Sequence, residues 1–394
     1  MAAQLSLGNR QITRILRSSS GRFEQISGIV PDVNSAAHRQ AVLIGPNDLR
    51  VRTQTGGTPG AGELLITPDA VGVCGTDLEL LAGTMGYLTD GGATYPIVPG
   101  HEWTGVVDSV GPGVNGFAIG DRVVGECSIG CGVCGVCAAG RYHLCPDRTE
   151  TGILNRAGGM ASTLVFPARA AHRLPPSVDP LDAALIEPLA VAYRGLHRLP
   201  AAPIGPIAIV GAGTIGLLCA LAARAIGMGP VLLVEHHAAR RRFSAGLGFD
   251  AVATVPHRFS QVIDATGTPS GTAAAVQGTA DGGTIVVLGL CGRPSVPVDL
   301  DSLVLRDLAM VGSLGSPGVW PEVIDLVATG RVLPSTIVSH EFALDEATDA
   351  FTRARDADPA TRKVVVRPQR SAASRQAASL QAATDPERPG TASW

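Results

Sequence analysis

The stretch "IAIVGAGTIGLL" constrains the fold more than any other part of this 394-residue chain. Four apolar residues typical of a buried strand lead directly into Gly211, Gly213 and Gly216, which have G-x-G-x-x-G spacing and open an apolar helix. The first glycine permits a tight turn, the second lets the backbone approach a pyrophosphate, and the third lets helix and strand pack closely. The stretch therefore predicts a dinucleotide site on a strand, turn and helix.

The dinucleotide is expected to be NAD, with NADP less favoured. Its phosphates would meet the free N–H groups of Thr214 and Ile215 at the start of the helix. Glu235 closes the next strand, about 20 residues on, where an acid accepts hydrogen bonds from the ribose hydroxyls and repels a 2′-phosphate. The three arginines that begin at Arg240 pull the other way, although they lie a helical turn downstream, where a solvated helix face is common. Arg240 is kept as a cofactor-binding candidate.

Strands and helices alternate after residue 200, which predicts an α/β fold with a doubly wound parallel sheet. The predicted strands are 207–210, 231–235, 262–265, 283–290 and 308–313, and the predicted helices are 214–226, 238–247 and 270–279. Only eleven residues separate Asp250 from Val262. They are too few for the short strand "AVAT" and a full crossover helix, so one helix of the usual set is expected to be missing.

The chain before this unit is rich in glycine, proline and short runs such as "GDRVVGE", a pattern typical of a turn-rich β domain. The length suits two domains of ordinary size. The expected divisions are a disordered leader over 1–36, a β-rich domain over 37–188 to which 320–368 returns, a nucleotide domain over 189–319 and a disordered tail over 369–394. The leader has no acid before Glu24, so a transit peptide is an alternative to a disordered extension.

Composition excludes several classes of function. A net charge of −3 gives no general attraction to nucleic acid or to an anionic membrane, so a small-molecule partner is favoured. The apolar stretch from Pro203 to Val234 is long enough to span a membrane, but its glycines and Arg224 favour a buried strand, turn and helix. A signal-peptide hydrophobic block is missing, so a reducing cytoplasm is expected and structural disulfides are disfavoured.

Four of the eight cysteines, Cys131, Cys134, Cys137 and Cys145, lie close together along the chain. Their spacing can bring four thiolates to one tetrahedral zinc, a closed site that holds a loop in shape and has no position for substrate. Disulfides and an iron–sulfur cluster are the alternatives, and the spacing lacks the usual cluster runs. Cys127 lies outside the pattern and is interpreted as a spare thiol.

A second set of residues suits a reactive zinc. Cys74 in "VCGTD", His101 in "PGHEW" and Glu187 in "IEPLA" offer a sulfur, a nitrogen and an oxygen. Three such ligands leave a fourth position open for water or an alcohol. Taken singly, each has a structural explanation: a buried thiol, a core histidine and an acid at a helix start. Distance along the sequence does not show whether they meet in space.

Together these motifs resemble the zinc-dependent medium-chain dehydrogenase/reductase family of the alcohol dehydrogenase type, over residues 37–368. The resemblance implies a GroES-like catalytic domain and a Rossmann domain with the active site between them, two zinc ions per chain, and a homodimer or homotetramer. The patterns "CGTDLE" and "EPLA" are similar to the polyol, sugar and threonine dehydrogenase branches. "PGHEWTG" is also similar to dehydrogenases of aminocyclitol biosynthesis.

The resemblance also implies roles for single residues. Cys74, His101 and Glu187 become ligands of the catalytic zinc. In some branches the acid beside the histidine, here Glu102, joins or replaces the other glutamate, so which acid binds the metal is left open. Asp77 is similar to the carboxylate that orients the ligand histidine.

Two further residues are implied in proton transfer. Thr76 matches the hydroxyl that takes the substrate proton. A histidine often found five residues after the ligand cysteine, which passes that proton to solvent, is Glu79 here. Glu79 either relays the proton or faces solvent. The backbone near Leu288 and Leu290, and near 312–315, is expected to border the nicotinamide.

The expected reaction is the reversible oxidation of a secondary alcohol to a ketone with NAD. Two alternatives are weighed against it: a zinc-free quinone or enoyl reductase of the same superfamily, and a non-enzymatic NAD-binding protein whose zinc is only structural. The retained Cys74, His101 and Glu187 argue against the first.

Overall fold

The computed structural model describes residues 11–17, 23–29, 38–200, 205–292, 296–356 and 358–370. Its strands, in chain order, are β1 (Gln11–Arg17), β2 (Phe23–Ile29), β3 (His38–Gly45), β4 (Asp48–Gln54), β5 (Glu63–Gly72), β6 (Glu102–Val110), β7 (Arg122–Gly125), β8 (Ser128–Ile129), β9 (Thr149–Glu150), β10 (Leu164–Pro167), β11 (Ala171–Arg173), β12 (Ile207–Val210), β13 (Val231–Val234), β14 (Asp250–Val252), β15 (Phe259–Asp264), β16 (Thr279–Val287), β17 (Ala309–Gly312), β18 (Val338–Ala343) and β19 (Lys363–Arg367).

The α-helices are α1 (Gly75–Ala82), α2 (Gly86–Thr89), α3 (Gly135–Ala138), α4 (Pro180–Ala184), α5 (Ile186–Leu196), α6 (Thr214–Ala225), α7 (Ala238–Gly246), α8 (Pro269–Gly278), α9 (Leu300–Leu305), α10 (Trp320–Ala328) and α11 (Ala347–Arg355). Among the described residues, none of these helices combines the length and the hydrophobicity needed to cross a membrane.

The second half of the chain forms a parallel six-stranded sheet in the order β14-β13-β12-β15-β16-β17. This confirms the predicted doubly wound sheet, in which ligands bind outside the carboxyl ends of the strands where the strand order reverses. No helix lies between β14 and β15, so the prediction of a missing crossover helix is also confirmed. The predicted strand 283–290 ends earlier, at Val287, and Leu288 and Leu290 lie in the loop at the carboxyl edge.

The first half is rich in β-structure, as its turn-rich sequence predicts. Its main sheet has the order β11-β7-β6-β5-β19-β18, with β10 also paired to β5. Trp103 and Phe166 pack edge to face at 4.8 Å in its core. The last two strands come from the C-terminal part of the chain, after the six-stranded sheet is complete. The chain therefore returns to the first lobe after the second sheet is complete.

One helix, α5, joins the two lobes. It contacts β6 and β7 of the first lobe and α6 and β16 of the second. The apolar core around it contains Ala70 and Val124 from the first sheet together with Ile209 and Val286 from the second. Because both sheets bury side chains in one core, the ends of α5 are held in a defined position relative to both lobes.

The ends of the chain differ in part from the expected leader and tail. β1 and β2 form an antiparallel pair inside the segment predicted to be disordered; "QITRILR" and "FEQISGI" are rich in isoleucine, which favours strands. Gln369, predicted to lie in the tail, donates hydrogen bonds to the carbonyl oxygens of Pro68 and Ser162. The remaining residues of the predicted leader and residues 371–394 lie outside the described residues.

Candidate active site

Three predicted metal ligands lie together where the turn after β5 meets the start of β6. Cys74 is the residue before α1, and its extended backbone leads the chain out of the sheet. His101 precedes β6 and Glu102 begins it. One ligand atom from each of these residues lies within 4.8 Å of the others, and His101 and Glu102 are buried. The structure thus brings a sulfur, a nitrogen and a carboxylate oxygen to one place.

Asp77 connects the two turns that carry these ligands. Its Oδ2 accepts a hydrogen bond from the Cys74 N–H at 2.9 Å, and its Oδ1 accepts one from the Gly100 N–H at 3.2 Å. The same Oδ1 lies 3.7 Å from Nδ1 of His101. Burial raises the pKa of Asp77, while His101 and the two N–H donors oppose the rise because they favour the carboxylate. This buried side chain connects the turn of Cys74 to the turn that precedes His101, and its Oδ1 faces the His101 ring.

Glu102 is paired with Lys363, the only lysine of the chain, for which no role was predicted. Nζ of Lys363 forms an ion pair with Oε2 of Glu102 and donates a hydrogen bond to the Val73 carbonyl oxygen at 2.9 Å. Gly72 leaves room for the pair, because a Cβ there would overlap the Glu102 carboxylate. The sequence feature that points to this ion pair is the lysine in the apolar run "KVVV", because a buried cation needs an acidic partner. The carboxylate keeps a second oxygen that a metal can bind.

Glu187, the other predicted acid, lies at the start of α5 and is 5% exposed. Among the described residues it does not belong to the group of three. Burial raises its pKa to about 7, while His101 lowers that pKa and Glu102 raises it. These electrostatic interactions indicate that Glu187 lies near the same centre. Its carboxylate does not come as close to the ligand atoms of Cys74 and His101 as the Glu102 carboxylate does.

The donor set fits zinc. Zinc binds cysteine sulfur at about 2.3 Å and nitrogen or oxygen at about 2.0–2.2 Å, so two ligand atoms of a tetrahedral ion lie about 3.3–3.8 Å apart. The three ligand atoms here lie within 4.8 Å of one another, so small side-chain movements suffice. Burial opposes a charge on His101, yet Asp77 and Cys74 outweigh it and raise the pKa of the ring. The surroundings therefore favour a cation, and three ligands leave a fourth position open.

The two candidates for proton transfer lie on α1. Oγ1 of Thr76 is 4.0 Å from Sγ of Cys74. Glu79 is half-buried, and a Cβ on Gly292 of the second lobe would lie 3.3 Å from its Oε1. Burial raises the pKa of Glu79. Its carboxylate therefore lies against the segment that follows β16, at the junction of the lobes.

The four clustered cysteines, Cys131, Cys134, Cys137 and Cys145, form a second group. The sulfurs of Cys131 and Cys137 are 4.0 Å apart, and those of Cys134 and Cys145 are 3.7 Å apart. A tetrahedral zinc with sulfur ligands separates them by about 3.8 Å. The N–H groups of Cys131 and Gly132 each donate to a sulfur at 3.4 Å, which stabilises thiolate. The arrangement fits a closed metal site, and none of the eight cysteines, all of which lie among the described residues, forms a disulfide.

Each of the three glycines in the glycine loop has a different structural role. Gly211 has φ +98°, a left-handed conformation that favours glycine. A Cβ on Gly216 would overlap the Gly211 carbonyl oxygen, so the packing of α6 on β12 requires its absence. A Cβ on Gly213 would meet nothing within 4 Å, so the start of α6 is open to a ligand. Thr214 and Ile215 form the first turn of α6, whose N–H groups have no partner within the helix.

Glu235 follows β13 and lies beside this loop. Its buried carboxylate accepts hydrogen bonds from the N–H groups of Ala212 at 3.1 Å and His237 at 2.8 Å. Nη1 of Arg240 lies 3.9 Å from Oε2 of Glu235. The acid is thus held next to the turn of the glycine loop, with Arg240 directed toward it.

Leu288 and Leu290 follow β16 at the carboxyl edge of the sheet. The Leu288 side chain packs on α5, where a Cβ on Gly195 would lie 2.8 Å from its methyl groups. The Leu290 side chain is 64% exposed. Leu288 is therefore used in packing between the lobes, and contact of the backbone at Leu288 and Leu290 with a cofactor stays a prediction.

Two family models match the chain. The one described as alcohol dehydrogenase GroES-like domain matches residues 60–176, and the one described as zinc-binding dehydrogenase matches residues 214–329. They correspond to the β-rich lobe and to the lobe with the parallel sheet. The predicted two-domain α/β fold, with a GroES-like and a Rossmann domain, is confirmed.

The sequences of known proteins match this chain over most of its length. A sorbitol dehydrogenase from Arabidopsis thaliana is 30% identical over 331 residues, which are 79% of this chain and 90% of the relative. A D-altritol 5-dehydrogenase from Agrobacterium fabrum is 33% identical over 315 residues, 77% and 91% of the two chains. The structure of a zinc-binding dehydrogenase from Sinorhizobium meliloti 1021, bound to NADP, has a TM-score of 0.78 and 31% identity, and covers 85% of this chain and 100% of that one.

The chain therefore belongs to the zinc-binding alcohol dehydrogenase family of medium-chain dehydrogenases. It is an oxidoreductase of the alcohol and polyol dehydrogenase type, with zinc and a nicotinamide dinucleotide as its cofactors.

Proposed function

We propose that this enzyme interconverts a secondary alcohol of a polyol, sugar or cyclitol and the corresponding ketone, with NAD as the hydride acceptor. The observation that carries the proposal is the grouping of Cys74, His101 and Glu102 next to a helix, α1, whose Glu79 lies against Gly292 of the nucleotide-binding lobe. A metal held by these three residues would stand where the two lobes meet. The sorbitol and altritol dehydrogenases among the relatives support a substrate with several hydroxyl groups.

Zinc held by Cys74, His101 and Glu102 would act as a Lewis acid that lowers the pKa of a substrate hydroxyl group, and Glu187 lies near these ligands as a further carboxylate. Asp77 keeps the ligand histidine in place. Lys363 neutralises one oxygen of Glu102 and so limits the negative charge of the site.

The proton of the substrate hydroxyl leaves through residues of α1. Thr76, whose hydroxyl is 4.0 Å from Sγ of Cys74, is placed to take this proton while its own hydroxyl proton moves on toward Glu79. Glu79 takes over the role of the histidine that the family often has at this position. Its half-buried carboxylate, with a raised pKa, is a better proton acceptor than a fully exposed glutamate.

NAD and a second zinc belong to the same proposal. Glu235 presents a carboxylate at the glycine loop, which disfavours the 2′-phosphate of NADP, although the relative from Sinorhizobium meliloti was solved with NADP. The sulfur distances of the four clustered cysteines support a structural zinc, in addition to the catalytic one. The cytoplasm is the proposed location because a reducing compartment keeps the cysteines of both sites from forming disulfides.

A homodimer or homotetramer is proposed on the basis of an apolar edge. Leu300, Val304 and Leu305 of α9 are 67%, 79% and 84% exposed. The neighbouring strand β17 pairs only with β16 among the described residues, so its other edge is available. Light scattering coupled to gel filtration measures the mass in solution, and a monomer at micromolar concentration contradicts this part of the proposal.

The test of the function is a panel of sugars, linear polyols, cyclitols and hydroxy amino acids, each assayed for NADH formation by the zinc-loaded protein. Turnover is expected with at least one polyhydroxylated alcohol. It is expected to disappear in Cys74→Ala, which removes a ligand but none of the dinucleotide site. A zinc-loaded protein that binds NADH but oxidises no member of the panel contradicts the substrate class.

A further inference from the structure

Residues 313–318, which follow β17, form the β17 loop. This loop is connected to the cysteine lobe, residues 131–145. Nη1 of Arg194, in the last turn of α5, donates hydrogen bonds to Oγ of Ser313 at 2.9 Å and to the Leu314 carbonyl oxygen at 3.1 Å. Nη2 of Arg194 lies 3.4 Å from Nε2 of His143 in the cysteine lobe. Because a guanidinium can only donate, Nε2 of His143 is the acceptor. One side chain therefore joins α5, the cysteine lobe and the β17 loop.

Further contacts bring the β17 loop against the cysteine lobe and the neighbouring β8. Gly315 has φ +66°, and a Cβ there would lie 3.6 Å from Oγ of Ser128 and 3.7 Å from Cβ of His143. The β17 loop therefore lies directly against Ser128 and His143, in addition to the hydrogen bonds that Arg194 donates to it.

The β17 loop also lies at the edge where the dinucleotide site is expected. β17 runs parallel to the other strands of its sheet, so the β17 loop leaves the same carboxyl edge as the glycine loop after β12. The Ser313 N–H donates to the Val287 carbonyl oxygen at 3.1 Å, which ties it to the end of β16. Gly195, next to Arg194, packs against Leu288. The last turn of α5 thus touches both segments predicted to border the nicotinamide.

We propose that Arg194 is a positioning residue, which uses the folded cysteine lobe as a support to hold the β17 loop in the conformation that binds the nicotinamide end of the cofactor. The four cysteines then contribute to cofactor affinity as well as to the shape of their own loop. This inference rests on the proposed function, in that it takes the carboxyl edge of the parallel sheet as the dinucleotide site.

The test compares Arg194→Met with Arg198→Met in the full-length, zinc-loaded protein. Arg198 is an exposed arginine four residues further on, so the control makes the same change of charge and of side chain close by. NADH affinity is measured by fluorescence titration. Arg194→Met is expected to weaken NADH binding about tenfold, because it removes hydrogen bonds from a charged donor. Arg198→Met is expected to stay within about twofold of the wild type.

Two readouts separate positioning from a general loss of structure. Zinc content is expected to equal that of the wild type, and the KM for NAD is expected to rise while the KM for the alcohol stays unchanged. Ser313→Ala removes one acceptor of Arg194 and is expected to weaken NADH binding about threefold. The double variant is expected to bind no more weakly than Arg194→Met alone, because both changes break the same contact.

Equal NADH affinity in Arg194→Met and Arg198→Met, with both proteins folded, would overturn the proposal. If Arg194→Met does not fold, Ser313→Ala decides the question in its place, and an unchanged affinity in that variant overturns it too. A wild-type protein that binds no NADH would contradict the proposed function instead, so the two failures are distinguishable.

Discussion

Oε2 of Glu102 and Nζ of Lys363 form an ion pair in which both side chains are at least 98% buried, directly beside Cys74 and His101. An ion pair inside a protein stabilises little by itself, but removal of one partner leaves an uncompensated charge. Lys363 therefore supports the metal site through Glu102.

Lys363→Met is expected to destabilise the fold by about 3–5 kcal/mol and to reduce the zinc content, because it leaves the buried Glu102 carboxylate without its partner. Denaturant unfolding and metal analysis measure the two effects. The double variant Lys363→Met with Glu102→Gln is expected to recover stability, because neither member of the ion pair is left charged without its partner, but not activity. A single variant as stable as the wild type would show that the pair is not essential.

Glu79→Gln is expected to lower kcat by about tenfold or more, because the neutral amide cannot accept the substrate proton. Glu79→His is expected to restore most of the rate, since it introduces the relay histidine that the family often has. Glu322→Gln, at an exposed acid on α10, is the matched control and should not change kcat. Equal rates for Glu79→Gln and this control would place Glu79 outside the proton pathway.

The pH profile gives an independent test of Glu79. Its pKa is raised by burial, so on acidification it takes up a proton at a higher pH than an exposed glutamate does. As the carboxylate form is the proton acceptor, kcat is expected to fall as the pH decreases through that raised pKa. Stopped-flow rates across the acid range, compared between the wild type and Glu79→Gln, should show this limb only in the wild type.

The choice of cofactor depends on Glu235. The wild type is expected to have a higher kcat/KM with NAD than with NADP, and Glu235→Ser is expected to reduce that preference by about tenfold, because repulsion of the 2′-phosphate is removed. Arg240→Ala tests the opposing charge and should shift the preference toward NAD. Steady-state kinetics with both dinucleotides measure the ratios, and a wild type that prefers NADP contradicts the assignment.

Cys134→Ala is expected to remove one zinc and to lower the melting temperature, because it breaks the four-sulfur arrangement. Val133→Ala is the matched control, since its side chain is 90% exposed on the same loop. Differential scanning calorimetry and metal analysis on both variants check this. A normal melting profile in a zinc-depleted Cys134→Ala protein would show that the cysteine lobe does not need its metal.

The nucleotide-binding half could be predicted closely from the sequence because its signals are local. A strand, a glycine turn and a helix follow one another directly, and α6 ends at Ala225, one residue before the predicted end. The short interval between β14 and β15 excluded a helix by length alone.

The site at the junction of the lobes could be predicted only in part. Cys74 and His101 were identified from their motifs, but the choice between Glu102 and Glu187 depends on how β6 and α5 pack. The partner of Lys363 could not be predicted, because β19 comes from the far end of the chain.

The contact of Arg194 with His143 and Ser313 gave no signal in the sequence, since it joins three distant segments through single side chains. Such contacts depend on the packing of the lobes, for which no short motif exists.

Metal analysis of the purified wild type, Cys74→Ala and Cys134→Ala, combined with the rate of alcohol oxidation, tests whether the enzyme has a catalytic zinc at Cys74 and a separate structural zinc in the cysteine lobe. Two zinc ions are expected in the wild type, one for each cysteine-containing group. One zinc and no turnover are expected in Cys74→Ala, with NADH affinity close to that of the wild type. A Cys74→Ala protein that keeps both zinc ions and oxidises alcohol at the wild-type rate would contradict this assignment.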